Sequence, residues 1–457
     1  MLTRARPLLA AMVLVTVEAV ALVSPRVPSP TGALASLVVT ATPGPLATWF
    51  LDTFRSTARP LTVILAAAVI LTVLTLASTA LRPRRDVAAE AEGADGAEAT
   101  DPGTPVVSRR ALLAGLGVGG AALVGLAILV RPGATGMHVA LAGRMRAARG
   151  LPPLTAAQDV SPTVPGLSPT LTPVDDFYRI DTAITLPRVE RATWRLRVHG
   201  RVDEDIVLDL DGLLALGVEE HDVTIACVSN EVGGGLVGTA RWTGVPLQRV
   251  LDLAGPRPDA EQVVGRSVDG WTGGFPIEFA AQPDALVAVG MNGVELPVRH
   301  GYPVRLIVPQ LFGYVSATKW LSDIELTGWD DYDAYWIRRG WAKRGPMRPS
   351  ARIDVPGRTA EPGTVRVAGV AWAPPVGVAS VEVRVDGGEW HAATCSDPLG
   401  PMVWRQWWLD IDLDVGRYEL QARAIDADGN VQPPGPRPVL PSGAEGWHTR
   451  PLDVRTT

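Results

Sequence analysis

Hydrophobic and polar positions divide the chain near residue 131. Upstream, "LTVILAAAVILTVLTLASTAL" (61–81) and "ALLAGLGVGGAALVGLAILV" (111–130) carry no charged residue. A helix rises about 1.5 Å per residue, so each run can cross a hydrocarbon core of about 30 Å. "PLLAAMVLVTVEAVALVSP" (7–25) is a third span, interrupted by Glu18, which reads as a buried or interface-seeking carboxylate of an anchor. Within 31–54, Pro43-Gly44-Pro45 breaks an apolar stretch whose halves are each too short to span, as in a surface or re-entrant element. The pattern predicts an α-helical transmembrane region over 1–81, a linker over 82–108 and a further membrane anchor over 109–130.

Downstream the period changes. Residues 131–174 are rich in Pro, Gly, Ser and Thr and show no helical or strand repeat, so they read as a linker. From 175 to 345, short strands alternate with turns: "WRLRVHG" (194–200), "DVTIACVS" (222–229), "PVRLIVPQ" (303–310) and "WLSDIELTGW" (320–329). "GVPLQRVLDLAG" (244–255) spaces its apolar residues as one short helix, giving an α+β domain. Over 350–457, strands at 364–373, 380–390, 403–413 and 418–430 alternate strictly, with turn signals at Asp386-Gly387 and Asp428-Gly429. That is the pattern of an all-β immunoglobulin-like sandwich, whose tryptophans serve packing.

Charge orients the membrane part. Arg82, Arg84 and Arg85 follow one span, and Arg109 and Arg110 precede the next, so the acidic, Ala/Gly-rich loop between them stays cytoplasmic. The span 111–130 then runs outward. A multi-pass protein of the cell membrane with an extracytoplasmic catalytic half is expected. "SRRALLAG" (108–115) also has the form of a twin-arginine export signal, although a pair obeying the charge rule alone would look the same. A net charge of -6 without a long basic run argues against nucleic acid as a partner.

The candidate chemistry centres on "TIACVSNEVGGG" (224–235) and Cys227. A cysteine at a strand end is most often a small buried hydrophobe. A nucleophile would need a base, and His221, six residues along a strand, lies about 20 Å away. Zinc would need further Cys or His at ligand spacing. A single thiolate on a soft metal, with other ligands from a cofactor, remains. The two cysteines, Cys227 and Cys395, form no disulfide framework.

"TIACVSNEVGGG", followed by "ARWTGVPLQRVL" and "RHGYPVRLIVPQLFGYVSATKWLSDIEL", resembles the molybdopterin oxidoreductases of the sulfite-oxidase superfamily, and the C-terminal sandwich resembles that family's dimerisation domain. The resemblance implies an α+β sulfite-oxidase-type molybdopterin domain, molybdenum held by Cys227, and a single molybdopterin. It places cofactor contacts on Tyr178, Arg179, Ser267, His300, Arg305, Ala317, Thr318 and Lys319. It also favours reading the arginine pair as an export signal. Where the family carries anion-binding residues, this chain aligns Val232, Val289 and Asp181. An aspartate there would repel a dianion, so a small neutral or cationic substrate such as a sulfoxide or N-oxide is expected rather than sulfite. Asp181 and Asn230 are candidate substrate or supporting contacts. With no Cys-x-x-Cys-His and no histidine in the spans, the expectation is no haem on this chain and a separate electron-transfer partner. The rival is a catalytically silent binding or scaffold protein that keeps the fold.

Overall fold

A computed structural model of the chain describes residues 150–183 and 185–456. The expected spans 7–25, 61–81 and 111–130, the segment 31–54 and the loop 82–108 lie outside the described residues. Among the described residues, no helix is long and apolar enough to cross a membrane.

Ten strands and three short helices make up the first region. In chain order they are β1 (Leu196–Gly200), β2 (Ile206–Leu208), α1 (Leu210–Ala215), β3 (Glu219–Ala226), β4 (Val237–Pro246), α2 (Leu247–Ala254), β5 (Gln262–Ser267), β6 (Thr272–Pro276), β7 (Leu286–Met291), β8 (Val294–Glu295), β9 (Arg305–Ile307), α3 (Gly313–Ser316) and β10 (Leu321–Thr327). One sheet runs β2-β1-β10-β5-β6, and its β1/β10 pair is parallel. The other runs β3-β4-β7-β8, with β9 pairing β7. Helix α1 begins where the Asp209 carboxylate accepts from Gly212 N at 2.8 Å. Helix α2 buries Leu247, Val250, Leu251 and Ala254 on one stripe and stops at Gly255 in the left-handed region. It is shorter than 244–255, because Gly244–Pro246 finish β4, where Gly244 lies so close to Ala288 that a Cβ would collide with its backbone.

The second region holds β11 (Ser350–Val355), β12 (Thr359–Ala360), β13 (Gly363–Trp372), β14 (Val378–Val385), β15 (His391–Ala392), β16 (Thr394–Cys395), β17 (Arg405–Leu413), β18 (Gly416–Asp426) and β19 (His448–Val454). They form two sheets, β11-β13-β17-β16 and β12-β19-β18-β14-β15, closed over Val367, Val381, Val383, Trp407, Leu420 and their neighbours. The expected β-sandwich is present, and Asp386-Gly387 makes the turn after β14 with both φ angles positive. The two regions share core: Val370, Trp372, Val403 and Trp404 belong to the same buried cluster as Leu306, Phe312 and Leu326.

The segment read as a structureless linker departs from expectation. Over 150–174 it is a strap fixed across both regions. Arg241 donates to the carbonyls of Leu151 and Pro152. Trp404 Nε1 donates to Thr170 O at 2.8 Å, and Val164 and Leu167 pack against Ala368. Gln406, fully buried, accepts from Val160 N and donates to Asp159 and to Ser168 O, all within 2.9 Å. Gln406→Ala leaves Val160 N and Ser168 O without their partner, while Asp159 keeps Ser161. It is expected to cost about 2–4 kcal/mol in denaturant unfolding and to open 150–174 to protease.

Candidate functional site

Cys227 is the first residue beyond β3, and it is 8% exposed. Its backbone closes a loop: Cys227 N donates to Leu236 O at 2.9 Å, and Asn230 N donates to Cys227 O at 3.0 Å. Asn230, a candidate for substrate contact, turns its carboxamide oxygen to Leu236 N at 2.7 Å, so that oxygen braces the loop. Neither Cys227 nor Cys395 forms a disulfide.

Three further segments converge on this point. A side chain built at Gly313 would start 3.7 Å from Ala226 O, 3.4 Å from the Ala317 Cβ and 4.0 Å from the Tyr178 hydroxyl. Burial pushes the Tyr178 phenol far above its ordinary range, the Cys227 charge adds to this, and Arg305 opposes it. The phenol therefore stays protonated within electrostatic reach of both. Phe177 stacks on Tyr178 and meets Trp242 and His300 edge-on, at centroid distances of 5.3, 5.6 and 5.8 Å.

Arg305, on β9, is 5% exposed. It donates to His300 O at 3.0 Å and lies 5.0 Å over Trp242, and among the described residues no carboxylate pairs with it. Burial lowers its pKa to about 10, so it remains a cation at neutral pH. Leu306 N donates to Thr318 O and Trp320 N to Gly301 O, which welds 300–306 to 317–320. Thr318 is 1% exposed, and among the described residues its hydroxyl has no hydrogen-bond partner. Ser267 sits opposite Leu321, and the next residue, Val268, donates its N–H to Trp320 O.

Asp181 requires a correction. Its carboxylate does not face an open anion site, because it accepts from Lys319 Nζ at 2.7 Å and Arg179 Nε at 3.1 Å. The Asp181 side chain is 4% exposed, against 33% for Arg179. Two cations around one anion leave net positive charge, so the repulsion expected of Asp181 is removed. Burial lowers the Lys319 pKa to about 8, and Asp181 resists that fall.

His300 Nε2 donates to Val174 O at 3.1 Å, which leaves Nδ1 as the unprotonated nitrogen. Burial and then Arg305 lower its pKa to about 4, and His448 on β19 is lowered to about 4 by burial and Arg450. Their ordinary value is 6.5. The unfolded chain binds protons between 6.5 and about 4 that the folded chain refuses. Stability contributed by the neutral rings is complete above that window and is lost as pH falls through it. Urea unfolding across the window is expected to show a steeper acid loss in the wild type than in a His300→Gln/His448→Gln chain.

The sequence reading did not single out Phe177, Trp242 or Gly313. Trp242 and Gly313 lie inside the quoted motifs, but an apolar ring and a glycine carry no chemical signal of their own, and Phe177 lies outside those motifs. Val289 is wholly buried in β7, and Val232 is half-buried in the loop after Cys227.

Comparison with known proteins gives the following. The family described as oxidoreductase molybdopterin binding domain matches residues 183–336. The mitochondrial sulfite oxidase of Mus musculus is 31% identical over 308 residues, 56% of this chain and 56% of its own. The chain thus spans about half the length of that relative. The oxidoreductase YuiH of Bacillus subtilis is 31% identical over 156 residues, 33% of this chain and 74% of its own. Among solved structures, the sulfane dehydrogenase SoxCD of Paracoccus pantotrophus superposes with a TM-score of 0.55 at 23% identity, covering 63% of this chain and 84% of that one, which is a likeness of fold.

Proposed function

We propose that this chain, which belongs to the oxidoreductase molybdopterin-binding family, acts as a molybdopterin oxidoreductase in which Cys227 is the molybdenum ligand, and that it transfers oxygen atoms to or from a small uncharged substrate. The observation that carries the site assignment is Arg305, a buried cation that pairs with no carboxylate among the described residues and that acts on Tyr178 together with the buried Cys227. A charge in that position is costly unless an anion joins it. The unpartnered Thr318 hydroxyl points the same way. Both fit a phosphate-bearing, ring-nitrogen-rich group.

Arg305 would neutralise its phosphate, with His300, Ser267 and Thr318 hydrogen-bonding its polar edges. Tyr178, Arg179, Ala317 and Lys319 would complete the contact. When bound, the group supplies two-electron redox chemistry coupled to oxygen-atom transfer. The chain's own work is positional. Asp181 holds Lys319 and Arg179 in place, the Phe177–Tyr178 wall excludes water, and Asn230 keeps the thiol loop closed.

Val232 and Val289 argue for substrate class. Neither offers a cation or a donor where a dianion would need one, which favours a sulfoxide or N-oxide over sulfite. The electron partner is a separate protein, the sandwich pairs chains, and the site lies outside a membrane to which the N-terminal spans anchor it. These assignments belong to the same proposal. The test is metal analysis followed by dye-linked turnover in both directions. Molybdenum in roughly equal numbers to chains is expected, with sulfoxides or N-oxides turned over faster than sulfite. Val232→Arg is expected to shift that ratio toward sulfite. A metal-free chain without turnover would favour the silent binding protein instead.

A further inference from the structure

The loop that carries Cys227 is held from outside its own domain. Its inner bonds are those at Cys227, Asn230 and Leu236, with Gly234 N donating to Glu231 O at 2.8 Å. Its outer face meets the sandwich. Arg352, on β11, donates from Nη1 to Gly234 O at 3.1 Å. The His448 ring, on β19, lies against Gly233, whose absent Cβ would fall 2.3 Å from two of its ring atoms. Gly233 has a φ of +78°, so a side chain there is excluded by conformation as well as by space.

Both holding residues are themselves fixed. The Arg352 guanidinium also binds Asp354 at 2.7 Å and Ser168 of the strap at 2.8 Å, and it sits 5.7 Å over Trp404. His448 Nδ1 accepts from Ile353 N at 2.9 Å, which sets the ring's orientation. One step earlier in the chain, β3 is tied to the sandwich as well: Thr224 N donates to Met402 O, and Trp404 N donates to the Thr224 hydroxyl at 2.8 Å. Within the loop, Val232 lies between the Cys227 base and the Gly233–Gly234 contact.

We propose that the C-terminal sandwich sets the site within its own chain: Arg352 and His448 are positioning residues that fix the Cys227 loop and, with it, Val232 at the substrate approach. This rests on the reading of Cys227 as a metal ligand and is independent of any pairing between chains. The physical ground is a loop clamped at two adjacent residues. A charge-assisted bond holds the Gly234 carbonyl, and a ring fills the space that a glycine leaves. When the sandwich shifts, Val232 and the thiol shift with it.

The experiment uses the full-length, molybdenum-loaded enzyme. Arg352→Gln and His448→Ala are compared with Arg366→Gln, which removes an exposed sandwich ion pair with Asp410. Both loop variants are expected to keep their molybdenum, to change the Mo(V) electron paramagnetic resonance signal, and to raise KM for a sulfoxide on the order of tenfold with a smaller change in kcat. Arg352→Lys, which keeps a cation, is expected to restore part of the signal. Arg366→Gln is expected to match the wild type. Wild-type signal and KM in both loop variants would overturn the proposal. Should a variant fail to fold, hydrogen exchange of the wild-type 231–236 amides decides. Protection equal to that of β11 supports the latch, and rapid exchange overturns it. A wild-type chain without molybdenum would overturn the metal reading instead, and the exchange measurement would still decide the latch.

Discussion

Cys227→Ser is expected to abolish turnover while leaving the fold in place. The side chain is nearly buried, and the loop around it closes through backbone bonds that serine preserves. Loss of stability should stay near 1 kcal/mol. A hydroxyl is a poor ligand for a soft metal, so the fall in activity should exceed the 10- to 100-fold typical of residues that only support a ligand. Turnover with a redox dye, measured beside the unfolding midpoint, separates the two effects. A serine protein that keeps full activity would sink the thiolate assignment.

Arg305→Met is expected to move stability and cofactor content in opposite directions. The guanidinium is desolvated among Trp242, His300 and Tyr178, with no carboxylate beside it among the described residues. Methionine keeps the stem and the contact with Trp242 and removes the buried charge. It gives up the bond to His300 O, worth about 1 kcal/mol. Replacing buried charge by apolar volume is often neutral or stabilising, so the cofactor-free variant should be as stable as the wild type or up to about 3 kcal/mol more so. Retention of molybdopterin should collapse, because the phosphate loses its cation. A variant that unfolds earlier and still holds the cofactor would show that Arg305 serves the fold.

The parts legible in the sequence are those whose signal is local. The stripe Leu247, Val250, Leu251, Ala254 announces α2, and the alternation through 364–373 and 403–413 announces β13 and β17, because each residue's face follows from its neighbours. Element ends were less legible. Residues 303–310 yield only the three-residue β9, since Pro303 and the turn at Gln310 stop pairing there. The strap escaped altogether. A Pro-rich stretch has no period of its own, and its order comes from Gln406, Trp404 and Arg352, more than 180 positions away, and from Arg241, about 90 positions away. Asp181 was misread for the same reason: its partner Lys319 lies 138 residues on. Cys227 and its proposed cradle are named by an ordered set of motifs. His448 and Arg352 belong to none of those motifs, so only folding brings them to the loop.

The latch also fixes when the site can be finished. Synthesis runs from the strap to Cys227, then to Arg352, and reaches His448 more than two hundred positions after the thiol it steadies. A nascent chain holding the whole first region on the ribosome still lacks the ring behind Gly233 and the donor to Gly234. Pairings this distant in sequence form late. A ligand meeting the unfinished chain would find its thiol loop slack, so the competent acceptor is the completed polypeptide.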